Sequence, residues 1–183
     1  MGDASIETPR LILRRWRQAD RVPFHHLNAD PRVMEFFSGC LTRQESDGMV
    51  DRIEAHFDRH GFGLYAAELR QTGEFIGFVG LLRTPWEAHF TPCVEIGWRL
   101  DAGHWGRGLA TEGAEECLRF GFEVLGLREI VALTVPSNLR SRRVMEKLGM
   151  THDPADDFEH PQVPVGHPLQ RHVLYRVGGR GRG

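Results

Sequence analysis

The 183-residue chain predicts a mixed α/β domain, and three observations predict it. First, apolar runs of strand length alternate with helical patterns in the order strand, two helices, three strands, helix, strand, helix, strand. Second, one strand–helix–strand crossover fills the centre of the chain, residues 93 to 135. Third, 40% of residues are hydrophobic and 26% charged, which is enough apolar material for a core and too much for a disordered chain. At about 150 residues per domain this length gives one domain, read as residues 1 to 177. A basic, glycine-rich tail follows, Gly178 to Gly183, with nothing to bury and an expectation of disorder.

Arg10 to Trp16 gives an apolar-rich strand entered after Pro9. Asp20 to Ala29 reads as a short helix with Phe24 and Leu27 at helical spacing, broken at Asp30-Pro31 because the residue before proline avoids the helical region. Thr42-Arg43-Gln44-Glu45 is a capping box. It opens a longer helix to about His60, striped by Met49, Ile53 and Phe57, and the glycines at 61 and 63 end it. Leu64 to Leu69 and Phe75 to Leu82, joined by the turn Gln71-Thr72-Gly73, form an antiparallel hairpin. Cys93 to Leu100 is a third strand, with Val94, Ile96 and Trp98 on one face and Glu95, Gly97 and Arg99 on the other. A helix from Leu109 to about Leu125 carries Leu118, Phe122 and Leu125 as its stripe and stops at Gly126. Glu129 to Val135 is a strand, Asn138 to Leu148 a helix ended by Gly149, residues 152 to 168 a loop, and His172 to Val177 a last strand.

Composition excludes several classes. Lys plus Arg number 23 and Asp plus Glu 25, so the net charge is −2 and no global field recruits nucleic acid. The longest apolar runs, such as Ile130 to Leu133, are far too short to cross a bilayer. The acidic start shows no secretory h-region. Three cysteines, Cys40, Cys93 and Cys117, without a Cys-x-x-Cys pair, favour reduced thiols in a cytoplasmic protein. No His-x-x-x-His spacing or nearby cysteine among His160, His167 and His172 supports a metal, so they are read as loop structure or acceptor-side contacts.

The chemistry is expected at Gly103-His104-Trp105-Gly106-Arg107-Gly108, between a strand and a helix. The first N–H groups of a helix lack intrahelical partners, the dipole adds partial positive charge, and glycine lets the backbone approach an anion closely. A P-loop requires a lysine that this loop lacks, and the dinucleotide fingerprint requires a third glycine where Thr111 stands. A coenzyme A pyrophosphate loop fits best.

Four ordered segments then resemble the GNAT N-acetyltransferase family, in particular its RimJ/RimL-like branch of ribosomal-protein N-terminal acetyltransferases. They are Thr8 to Arg14, Phe75-Ile76-Gly77 with Val94 to Trp98, Trp105 to Glu112, and Asn138 to Met150. The resemblance spans roughly residues 8 to 177. It implies a central, mostly antiparallel seven-stranded sheet with a parallel crossover and about four flanking helices. It implies acetyl-CoA as cosubstrate, an amine acceptor that is a small molecule or a protein N-terminus, and no metal. By the same likeness Trp98, Arg99, Leu100, Trp105, Gly106, Arg107, Gly108, Ala110, Thr111, Asn138 and Ser141 bind the cofactor. Two positions depart from the pattern. Trp105 stands where the wider family has glutamine or arginine, and Met145 stands where many members carry a tyrosine acid; Ser141 is the replacement considered.

Glu95 reads either as the general base, acting through water, or as a half-exposed strand carboxylate. Ser141 reads either as proton donor to the departing sulfur or as a first-turn helix serine. Asn138 binds ligand, caps its helix, or does both. Glu112 serves the helix dipole or a hydrogen bond at the core edge, and Cys117 is a small buried residue. Phe36 and Phe37 either form the acceptor pocket or divide between core and surface. A second reading is a catalytically silent CoA-binding module, and a third an NAD or ATP enzyme built on Gly106-x-Gly108. Edge strands make a homodimer plausible.

Overall fold

The computed structural model describes residues 5 to 179. Strands β1 (Ile6–Glu7) and β2 (Leu11–Arg14) lead to helices α1 (Arg21–Asn28) and α2 (Arg43–His60). Then come β3 (Leu64–Leu69), β4 (Phe75–Arg83) and β5 (Val94–Leu100). The crossover helix α3 (Leu109–Glu123) joins β5 to β6 (Glu129–Thr134), and α4 (Leu139–Lys147) follows. Short strands β7 (Thr151–His152) and β8 (Phe158–Glu159) precede β9 (Arg171–Gly178). The sheet order is β1-β2-β3-β4-β5-β6-β9-β7, with β8 also paired to β9. Only β5 and β6 run parallel; the other pairs are antiparallel.

The nine strands exceed the six read from the pattern, and the seven the resemblance implies, because β1, β7 and β8, absent from the pattern, are two residues long each and exist only through their neighbours. The segment 152 to 168 is therefore not all loop: Phe158 pairs with His172. The tail expectation is corrected as well. Gly178 pairs with Glu129, and the Gly179 N–H donates to the Arg128 carbonyl (2.9 Å). Residues 180 to 183 of that tail, and residues 1 to 4, lie outside the described residues.

The α2 capping box forms as the sequence requires: the Thr42 N–H donates to Glu45 Oε2 (2.7 Å) and the Glu45 N–H to the Thr42 hydroxyl. Its buried stripe is Ser46, Val50, Ile53 and Phe57, while Met49 turns partly out. Helix α3 differs from expectation. Its buried face is Leu109, Gly113, Ala114, Cys117, Leu118 and Gly121, and Phe122 and Leu125 are only partly buried. Small residues let the helix lie close on the sheet: a Cβ at Gly121 would meet Ile130 Cδ1 at 2.6 Å.

A buried ion network ties the N-terminal elements together. Arg14 donates to both carboxylate oxygens of Asp20 (2.7 and 2.9 Å) and to Glu68 (2.7 Å), and all three side chains are nearly inaccessible.

Candidate active site

Strands β4 and β5 pair continuously, from Gly77 opposite Leu100 to Arg83 opposite Val94. On its other side β5 registers with β6 at one pair only, Glu95 opposite Val131. Beyond Glu95 the two parallel strands separate, and α4 enters the gap from the β6 side. Two adjoining cavities occupy this opening, about 360 and 430 Å³ in volume. They meet at Phe36, Phe37, Trp98, Arg99, Asn138 and Ser141, which line both.

The first cavity lies between the glycine-rich loop and α4. Trp98, Arg99, Leu100, Trp105, Gly106, Gly108, Ala110, Thr111, Asn138 and Ser141 all line it. Arg107 does not. Its side chain is exposed, and its carbonyl accepts from Arg10 Nη1 (2.8 Å). Gly106 and Gly108 have φ of 72° and 76°, a left-handed backbone that favours glycine, and Gly108 is the N-cap of α3. Glu112 fixes the loop from behind, accepting from the Thr8 hydroxyl (2.6 Å), the Arg10 N–H (2.8 Å) and Arg10 Nε (2.6 Å). Burial raises the Glu112 pKa, but those hydrogen bonds outweigh it and hold the carboxyl below its ordinary value.

The departure at Trp105 has a structural account. Its indole N–H donates to the Leu100 carbonyl (2.8 Å), and the Arg140 guanidinium stacks 4.5 Å from its ring. Trp105 thus braces the end of β5. His104 is mostly covered, with Nδ1 3.3 Å from Asp101 Oδ1. Sequence reasoning missed Arg140, Arg143 and Lys147 on α4, which line the same cavity. They recur at helical spacing after Asn138, the one signal that could have found them.

Asn138 caps α4 and ties it to β6. Its Oδ1 accepts from the Ser141 N–H (3.2 Å), and its Nδ2 donates to Thr134 Oγ1 (3.0 Å) and Ser141 Oγ (3.1 Å). The Ser141 oxygen therefore accepts one bond and keeps its own proton to give. Met145, at the position of the expected tyrosine acid, is 2% exposed, and its thioether has no proton to donate.

The second cavity lies between β5, β6 and residues 160 to 172. Glu95 lines it, and burial pushes its carboxyl up to about 7. His160 and His172 line it too, with ring centroids 4.8 Å apart. Burial lowers both histidines, His160 to about 4, so they are neutral near pH 7. His167 is exposed and lines neither cavity. Phe36 is partly covered and Phe37 exposed; neither is core, and both wall the junction. Arg99 Nη1 donates to Asn28 Oδ1 (2.7 Å), and its guanidinium lies 4.1 Å from the Phe37 centroid.

The first cavity fits coenzyme A: a glycine cradle at a 15-residue helix N-terminus receives an anion, and the α4 cations supply opposite charge. The family description "Acetyltransferase (GNAT) domain" matches residues 10–151. The chain is 38% identical over 161 residues to the FsC-acetyl coenzyme A-N(2)-transacetylase of Aspergillus fumigatus, covering 81% of this chain and 65% of that protein. An acetyltransferase structure from Agrobacterium tumefaciens superposes with a TM-score of 0.78 at 30% identity, covering 97% of this chain and 95% of the other. The structure of RimL, a ribosomal L7/L12 alpha-N-protein acetyltransferase in complex with coenzyme A, superposes at 0.76, covering 96% and 98%. At 16% identity that likeness shows the fold. With the match running from β2 through the glycine-rich loop and α4, the chain belongs to the GNAT family and is an N-acetyltransferase.

Proposed function

We propose that the protein transfers the acetyl group of acetyl-CoA to a primary amine bound in the second cavity. The observation that carries this reading is the junction. The cavity under the glycine-rich loop opens into the cavity holding Glu95, and Ser141 lies where they meet. Acetyl-CoA, when bound, supplies an activated thioester carbonyl. The residues do the rest. The N–H groups at the start of α3 and the loop backbone bind the pyrophosphate. Main-chain groups of Trp98 to Leu100, on the edge of β5 that has parted from β6, bind the pantetheine arm and polarise the carbonyl.

The amine must lose a proton to attack and to form the amide. Glu95, held near 7, accepts that proton at physiological pH, directly or through one water. Ser141 gives its hydroxyl proton to the departing sulfur. Amine plus thioester become amide plus thiol, so the proton taken at Glu95 balances the one given at Ser141. Holding both reactants at one junction removes most of the entropic barrier. A CoA-binding module without turnover would need no acid–base pair at the junction.

The test is thermal unfolding with acetyl-CoA, CoA, NAD and ATP in parallel, followed by thiol release over a panel of amines. A ligand at about 100 times its Kd adds ~2.7 kcal/mol, a shift of several degrees here. Stabilisation by the two CoA species alone, with thiol release that depends on amine, is expected. Stabilisation by NAD or ATP instead, or thiol release indifferent to amine, overturns the proposal.

A further inference from the structure

We infer that the acceptor is an amine that also carries a carboxylate, and that the Arg99 side chain is the carboxylate's receptor. The inference rests on the proposed acetyl transfer to an amine in the second cavity and narrows its substrate class.

Three observations lead there. First, Arg99 is a cation without a counter-ion: among the described residues no carboxylate lies within 4.0 Å of it. By contrast, Arg14, Arg15 and Arg176 each hold two carboxylates. Second, its guanidinium is only partly satisfied. Nη1 donates to Asn28 and touches Met49 Sδ at 3.9 Å, while Nε is buried with no partner. A buried donor left unpaired is costly, and a charged one more so. Third, its position is fixed: Asn28 binds Ser46 in turn (3.0 Å), and the Phe37 and Phe78 rings flank the guanidinium at 4.1 and 5.5 Å. A planar fork held near two rings and lining the cavity junction matches a planar carboxylate.

The rest of the acceptor cavity sharpens the argument. Its other ionisable groups are Glu95, His160 and His172, and the histidines are neutral near pH 7. The walls therefore offer one acid and one base. Glu95 and Arg99 are four residues apart on the same face of β5, about 13 Å along the strand. An acceptor whose amine and carboxylate stand several bonds apart, as at the two ends of a dipeptide or an ω-amino acid, meets opposite charge at both ends, its amine toward Glu95 and its carboxylate toward Arg99. A protein N-terminus brings no carboxylate of its own to Arg99, and a polyamine brings like charge.

Binding can be tested without turnover by using products. CoA-saturated protein is titrated calorimetrically with a set of N-acetyl dipeptides and N-acetyl-ω-amino acids and with the matching C-terminal amides. Acids are expected to bind at least ~30-fold more tightly than their amides, the lower end for a buried charge pair losing one partner. R99Q should erase that ratio and R99K should retain part of it. Amides that bind as tightly as acids, acids that bind R99Q as tightly as the native protein, or a set in which no acid binds, each overturns the inference. The comparison on the native protein stands even if R99Q fails to fold. If acids bind but the corresponding unacetylated dipeptides and ω-amino acids release no thiol from acetyl-CoA, the receptor survives and the acid–base assignment of Glu95 and Ser141 fails instead.

Discussion

Glu95 carries the sharpest expectations at the scale of one residue. Its carboxyl, near 7, predicts that kcat/KM rises with pH through about 7 as the base is uncovered. E95Q should lower turnover by about 100-fold and remove that limb, leaving only the acceptor's own ionisation; an unchanged pH–rate profile would sink the role. Stability runs the other way. A carboxyl whose folded value lies above its ordinary 4.5 contributes fully below about 4.5 and loses that contribution as pH rises to 7. Chemical denaturation across that window should show a slope in the native protein that E95Q flattens. S141A should reduce kcat by about 100-fold while CoA affinity stays within a few-fold, because the N–H to Asn138 is unaffected. The places of Glu95 on its strand and Ser141 in its first helical turn were legible because they are local information. The Arg99 side-chain environment was not. Its partner Asn28 is 71 residues away, and nothing in either segment announces the other. The same holds for the Arg107 carbonyl, which accepts from Arg10, 97 residues earlier.

At the scale of elements, the loop and α3 are proposed to act as one anion receptor. G108D places a Cβ on a left-handed backbone at φ 76° and a carboxylate where phosphate is expected. CoA affinity should fall by roughly 100-fold, the order expected for apposed like charges; fluorescence or calorimetric titration would read it, and an unaltered Kd would remove the loop from the site. The long elements were legible because period and caps are strong signals: α2 ends where Thr42 and Gly61 dictate. The stripe of α3 was misjudged because sequence hydrophobicity favours Phe122 and Leu125, whereas close packing favours Gly113, Ala114 and Gly121. Two-residue strands such as β7 and β8 contain no period at all and are fixed only by β9.

Across the molecule, stability is expected to hinge on the Arg14 network as much as on the apolar core. R14A leaves Asp20 buried without its cation and Glu68 with only the more exposed Arg17 (3.0 Å), a loss of about 3 kcal/mol. Thermal unfolding should drop by roughly 10 °C, and a change within ~2 °C would show that water replaces the guanidinium. The topology has one more consequence, and it concerns synthesis. Strand β9 is the last element in the chain, yet it lies inside the sheet, bonded to β6 on one side and to β7 on the other. A nascent chain holds β1 to β5 and α3 before it holds the partner of β6. The glycine-rich loop is thus translated first, and the wall of the second cavity closes only with residues 171–178. Until the ribosome delivers them, the growing polypeptide carries the proposed donor site with no finished chamber for the proposed acceptor.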